Sequence, residues 1–135
     1  MQNLAQRQQL AIDAAREAGK ITLGDFQTDD LAEFPTTEGT SGYRWIVDPI
    51  DGTKSFISGV PLYGTLVGVE HEGRGVIGVI YMPALDEMVY AATGQGAWHE
   101  LGSKPRRPAR VSSVSKLSDG LFCTCEVKTF LKSDR

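Results

Sequence analysis

The segment Trp45-Ile46-Val47-Asp48-Pro49-Ile50-Asp51-Gly52-Thr53-Lys54-Ser55-Phe56 carries the sharpest local instructions in the chain. An apolar, strand-like run leads into two acids three residues apart, then into a Gly-Thr that can open a helix. Asp48 precedes a proline and is therefore pushed out of the α region, so it ends the strand in an extended conformation. Pro49 fixes its own φ and cannot donate to a ladder. The chain must turn here, which leaves the carbonyl of Ile50 outside any sheet. Two carboxylates and a spare carbonyl are hard oxygen ligands of the kind Mg²⁺ takes alongside water and phosphate. Gly52 lets backbone approach a ligand closely. A helix starting at Thr53 would turn its first N–H groups toward an anion. Two metal ions roughly 3.5–4 Å apart can clamp the attacking and leaving oxygens of an in-line displacement.

Two other readings of the same residues compete. Asp-Gly is the commonest hairpin signal, so the pair can be a turn and nothing more. The aspartyl-nucleophile pattern D-x-D-G-T needs an acid two residues before Asp51, and Pro49 stands there. That second reading fails on spacing.

The stretch from Trp45 to Phe56, continued through Ile57-Ser58-Gly59-Val60-Pro61-Leu62-Tyr63-Gly64, resembles the inositol monophosphatase family of Mg²⁺-dependent, lithium-sensitive phosphomonoesterases. The shared element is an acid-proline-aliphatic-acid-glycine-threonine block after a Trp-bearing strand. The continuation Lys54-Ser55-Phe56 is most similar to the histidinol-phosphate phosphatase branch. The nucleotide-bisphosphate branch also carries a lysine at that place. The resemblance implies direct attack of a metal-activated water on a phosphate monoester, without a phosphoenzyme. It assigns Asp48, the Ile50 carbonyl and Asp51 to metal, with two or three Mg²⁺ ions per site. It assigns the N–H groups of Gly52 and Thr53 to phosphate, and the Thr53 hydroxyl to the water. A family glutamate that shares this last role falls on Ala32 in an ungapped alignment back from Trp45, so Glu33 is the candidate replacement, one residue displaced.

The chain has 135 residues, 41% hydrophobic and 23% charged, with a formal net charge of −3. That length gives one domain with a real core. An acidic balance argues against nucleic acid as a partner, because phosphate backbones are met by basic faces. No apolar run approaches the roughly 18 residues needed to span a bilayer, and the N-terminus has no basic-then-apolar signal pattern. A cytoplasmic protein without membrane contact is the expectation.

Residues 1–23 read as a helix whose apolar stripe is Leu4, Ala11, Ala14, Ala18 and Ile21, with Gly19 and Gly24 marking its end. A partner helix or dimer seam is the competing use of this stripe. Residues 24–42 read as loop, shorter than the family resemblance implies. From Tyr43 onward the pattern is sheet: Tyr43–Val47, Gly64–Glu70, Gly75–Met82, Glu87–Ala92, a run at Ala97–His99, then Val111–Val114 and Leu121–Glu126. Short connections force antiparallel neighbours, since a parallel crossover needs a dozen or more residues. The fold class is α+β, an antiparallel meander covered by the N-terminal helix; the family resemblance implies that this is the first domain of the layered α/β sugar-phosphatase-like fold.

Cys123 and Cys125 alternate along the last of these segments and read as buried thiols rather than a zinc site. His71 and His99 each stand alone in the sequence and read as surface residues. Lys104-Pro105-Arg106-Arg107-Pro108 is a basic loop, either a solvated connector or a steering patch for an anion. Glu126–Lys132 reads as the start of a helix.

Residues 1–135 thus read as a single metal- and phosphate-binding domain, the N-terminal half of a family enzyme, without the second domain that carries a further metal aspartate and the substrate contacts. The leading functional expectation is hydrolysis of a small phosphate monoester, L-histidinol phosphate first, with inositol phosphate or a nucleotide bisphosphate as alternatives. A chain that binds metal and phosphate without turnover, and a helix-plus-sheet interaction module, remain open. A homodimer is the expected assembly, because an unpaired sheet edge favours association.

Overall fold

The computed structural model describes residues 3–24, 26 and 42–124. Helix α1 spans Leu4–Gly24 and is followed by strands β1 (Tyr43–Asp51), β2 (Gly64–His71), β3 (Arg74–Met82), β4 (Glu87–Ala92), β5 (Gly96–Leu101) and β6 (Arg107–Pro108). A short helix, α2 (Thr53–Ile57), lies between β1 and β2. The six strands form one sheet in chain order, and every neighbouring pair is antiparallel. This is the helix-backed meander that the sequence predicts.

The tightest connection shows why. His71 pairs with Arg74 across Glu72-Gly73, and both turn residues have positive φ, 51° and 74°. A two-residue hairpin with both central residues in the left-handed region matches the twist of the strands it joins.

The start of α1 is set by Asn3 and Gln6. The Gln6 N–H donates to Asn3 Oδ1 (2.9 Å), and the Asn3 N–H donates to Gln6 Oε1 (3.0 Å). This reciprocal cap satisfies two donors that helix geometry leaves orphaned, so the helix begins at Leu4 rather than at residue 1.

Its buried side matches the predicted stripe only at its N-terminal end, where Ala11 is buried and Leu4 packs against the core. Gln8, Ala11, Ile12, Ala15, Gly19 and Thr22 face the sheet, while Ile21 is 55% exposed. The reason is separation. A β-carbon at Gly19 would lie 2.6 Å from Tyr81 Cε1 and 2.9 Å from Pro83 Cγ. At this level the helix approaches the sheet too closely for a side chain, so Gly19 turns inward there and Ile21 outward. Gly19 therefore sits inside the helix as a contact point, not at its end. Ala11, Ile12 and Ala15 join Val67, Val69, Ile77, Val79, Met88, Tyr90 and Ala92 in one core. Arg16 on α1 pairs with Glu100 on β5, and the Tyr90 hydroxyl donates to Glu100 Oε1 at 2.9 Å, which ties the helix to the far strands.

The C-terminal strands were over-predicted. Val111–Val114 is irregular, as are the described residues of the Leu121–Glu126 segment, whose Cys125 and Glu126 lie outside the described residues. Strand β6 comes instead from the basic loop, where Arg107 pairs with His99 and Pro108 with Trp98. A two-residue edge strand needs no hydrophobic alternation, so the period-2 signal missed it. Cys123 is exposed, because no sheet forms there to bury it. The helix start expected at Glu126–Lys132 lies outside the described residues.

Candidate active site

Two acids three residues apart on a regular strand point to opposite faces, because side chains alternate with period two. The register of β1 on β2 removes that conflict. Asp48 pairs with Leu66 and Asp51 with Gly64, so Pro49 and Ile50 oppose the single residue Thr65. The irregularity is a β-bulge, which inserts one residue and re-aims the side chains beyond it. Leu66 and Gly64 have the same parity on β2, and directly opposed residues share a face. Asp48 and Asp51 therefore lie on one side of the sheet. That side is the one away from α1: Tyr43, Trp45 and Val47 pack toward the helix core, whereas Arg44, Ile46 and Asp48 are exposed.

Three hydrogen bonds hold the bulge. The Ile50 N–H donates to Asp48 Oδ1 (3.1 Å). The Thr53 hydroxyl donates to the Ile50 carbonyl (3.1 Å), and the buried Thr65 hydroxyl donates to the Pro49 carbonyl (3.0 Å). Gly52 then takes φ 87° and ψ 39° as the N-terminal cap of α2, a left-handed conformation natural to glycine. A β-carbon there would also stand 3.1 Å from the Leu62 carbonyl oxygen. Helix α2 is anchored by Phe56, which is fully buried and meets Tyr63 edge-on with ring centroids 4.9 Å apart. Phe26 stacks on Tyr63 from the other side, centroids 5.2 Å apart.

The structure thus brings Asp48, Ile50, Asp51, Gly52 and Thr53 into one turn of backbone. No described Lys, Arg or His pairs with Asp48 or Asp51. Both carboxylates are exposed, and Asp48 spends one acceptor position on the Ile50 N–H. The Ile50 carbonyl retains a second lone pair beside its bond from Thr53. Two carboxylates on one face, with a carbonyl in the turn between them, are hard-oxygen donors, the chemistry that fits a divalent cation such as Mg²⁺. Glu33 and Ala32 lie outside the described residues, and among the described residues no group of three His, Cys, Asp or Glu converges as a metal cluster.

The remaining candidates fall elsewhere. His71 stacks on Tyr43, ring centroids 4.2 Å apart. His99 is not the isolated surface residue expected from sequence: its Nε2 lies 2.6 Å from Glu87 Oε1, and Arg107 Nε donates to its Nδ1 at 2.9 Å. An acceptor role at Nδ1 leaves the proton on Nε2, facing Glu87. Both partners come from neighbouring strands, which no one-dimensional reading brings together. The basic loop curls beside it, and Arg107 and Arg110 line a hollow of about 420 Å³ with His99 and Val89. Thr65 was missed altogether. Its only signal in sequence was indirect, since an acid pair meant for one face demands an extra residue between its members.

The same architecture is found in solved structures. Mycobacterium tuberculosis SuhB superimposes with a TM-score of 0.71 at 26% identity, over 87% of this chain and 56% of that one. The class is therefore a helix-backed antiparallel sheet of the inositol monophosphatase fold. The profile described as "Inositol monophosphatase family" matches residues 3–130, and the chain belongs to that family. A histidinol-phosphatase from Chlorobaculum parvum is 37% identical over 147 aligned positions, which cover 82% of this chain and 55% of that protein. Those positions outnumber the 135 residues here, so the relative carries residues without counterpart in this chain. An inositol-1-monophosphatase from Mesorhizobium japonicum is 48% identical over 79 residues, 58% of this chain and 28% of that protein. The chain spans about half the length of the histidinol-phosphatase and of SuhB. No helix among the described residues is long and apolar enough to cross a membrane.

Proposed function

We propose that this chain forms the metal- and phosphate-binding part of a Mg²⁺-dependent phosphomonoesterase acting on a small phosphorylated substrate. One observation carries the reading: the bulge that turns Asp48 and Asp51 to the same face with the Ile50 carbonyl between them. Asp48, Asp51 and the Ile50 carbonyl would hold the cation. When bound, such a cation neutralises phosphate charge and lowers the pKa of a water toward neutrality.

This chain's own residues supply the rest. The Thr53 proton is committed to the Ile50 carbonyl, so its oxygen is left to accept a hydrogen bond, the polarity needed to orient a water and draw on its proton. The first N–H groups of α2 have no acceptor within the helix and are available to phosphate oxygens at Gly52 and Thr53. Glu33 is the proposed second acceptor for the water.

For the substrate we favour L-histidinol phosphate. Support comes from Lys54-Ser55-Phe56 and from the likeness to a histidinol-phosphatase; the inositol-1-monophosphatase likeness makes inositol phosphate the first alternative, with nucleotide bisphosphates after it. Phosphate release from these three substrates, with and without Mg²⁺, tests the reading. Mg²⁺-dependent release that is fastest on histidinol phosphate is expected. Ala32 in the family glutamate's place favours a second reading, binding without turnover. It predicts metal heats in calorimetry with no phosphate released.

A further inference from the structure

We propose that Thr65 is the positioning residue of the acid pair: its buried hydroxyl, bonded to the Pro49 carbonyl, fixes the bulge that brings Asp48 and Asp51 to one face. The inference rests on the metal reading above and adds a residue to it.

Across the ladder, Pro49 and Ile50 oppose Thr65 alone, so the bulge leaves backbone groups that the regular pairing cannot serve. Proline has no N–H and contributes only its carbonyl. That carbonyl finds its donor in Thr65 Oγ1 at 3.0 Å, from the one strand position the bulge straddles. Thr65 has no exposed surface, so its hydroxyl needs a protein acceptor and finds it in the carbonyl of half-buried Pro49. Its side chain lies with Val67 and Val69 on the core side of β2, fixed by packing rather than free in solvent.

The bond therefore joins a rigid core position to the one peptide whose orientation decides the parity of the acids. Without it, the path from Asp48 to Asp51 is held only by the Asp48–Ile50 turn and the Thr53–Ile50 bond, both made at exposed residues. The first is made by the N–H of the Pro49–Ile50 peptide itself and the second by the next peptide, so Thr65 is the anchor that ties this peptide to the core. Rotation there would turn the Ile50 N–H away from Asp48 Oδ1 and misalign the chain that leads from Asp48 to Asp51. Thr65 touches neither cation nor substrate; it acts through Pro49.

The test compares the wild-type chain with Thr65→Val, which keeps shape and removes the donor, and Thr65→Ser, which keeps the donor. Mn²⁺ affinity by calorimetry and amide exchange at Ile50 are read together. Thr65→Val should weaken Mn²⁺ binding and raise Ile50 exchange, each about tenfold, the scale of one lost buried hydrogen bond. Thr65→Ser should stay within about twofold of wild type on both. If Thr65→Val fails to fold, Thr65→Cys replaces it, a weak donor of similar size whose values should fall between Ser and complete loss. Wild-type Mn²⁺ affinity and Ile50 protection in the donor-deficient variant would overturn the role of Thr65, whatever its effect on thermal stability. Absence of Mn²⁺ binding by the wild type would overturn the metal reading instead, and the two failures are distinct because only the second silences the unmodified chain.

Discussion

The Thr53 hydroxyl donates to the carbonyl oxygen of Ile50 across 3.1 Å, so one side chain both closes the turn and presents only lone pairs outward. Thr53→Val removes both functions. Phosphate release at saturating Mg²⁺ should fall about 10²-fold or more, the usual scale for a group that handles the water's proton. Thr53→Ser should recover most of it. Thr53 is exposed, so the thermal midpoint should hardly move in either variant.

Asp48 closes a turn, and the proposed function gives it a second role at the cation that one substitution separates from the first. In Asp48→Asn the remaining side-chain oxygen still accepts the Ile50 N–H, so the turn survives while the charge is lost. Calorimetry should show Mg²⁺ or Mn²⁺ binding weakened more than about tenfold, with an unfolding free energy within about 0.5 kcal/mol of wild type. Asp48→Ala loses the turn as well and should be less stable than Asp48→Asn.

Gly19→Ala is expected to destabilise, against its helix propensity. Alanine gains about 1 kcal/mol over glycine in a helix interior. Its methyl would stand 2.6 Å from the Tyr81 ring, and forcing extra volume into a packed contact costs about 1–3 kcal/mol. Both ring atoms and Pro83 crowd the same point, so the second effect wins. A lower urea midpoint with unchanged slope is the expected result.

Alkaline pH should weaken the fold through its tyrosines. Burial pushes Tyr63, Tyr81 and Tyr90 above the ordinary tyrosine range; the neighbouring Thr22 hydroxyl partly opposes this at Tyr63, and Asp86 adds to it at Tyr81. Below about pH 10 both folded and unfolded chains keep these protons, and no slope arises from them. Above it the unfolded chain releases protons that the fold retains, so stability falls as pH climbs through the raised folded values. Urea midpoints from pH 8 to 11 measure the loss. The Tyr63 hydroxyl is buried and makes no hydrogen bond of good geometry with the described residues, Thr22 donating its own proton to the Gly19 carbonyl. Tyr63→Phe should therefore be neutral or stabilising at pH 7 and should flatten the alkaline loss.

Much of the architecture was written locally. Apolar alternation and short, glycine-bearing turns specify an antiparallel meander, because a two-residue link such as Glu72-Gly73 leaves the next strand no other place to go. Asp48-Pro49 announced a break in the ladder, since proline's constraints act on its immediate neighbours, but β1 does not end at Asp48 as expected: it bulges and runs on to Asp51. Which side of α1 is buried was not local. Ile21 is more apolar than Gly19, yet Gly19 meets Tyr81 and Ile21 faces outward, because the distance between helix and sheet is fixed by residues far away in the chain. The pairing of His99 with Glu87 and Arg107 depended in the same way on strand register.

The candidate site divides along the same line. By itself the sequence determined which atoms are on offer: two carboxylates, one carbonyl freed by proline, and a hydroxyl after a glycine. Only the tertiary structure decided that the two acids share a face of the sheet. Two acids three residues apart diverge on any regular strand, and they share a face here because β2 sets one residue, Thr65, against two on β1. Register is a property of the pair of strands, and neither strand contains it alone.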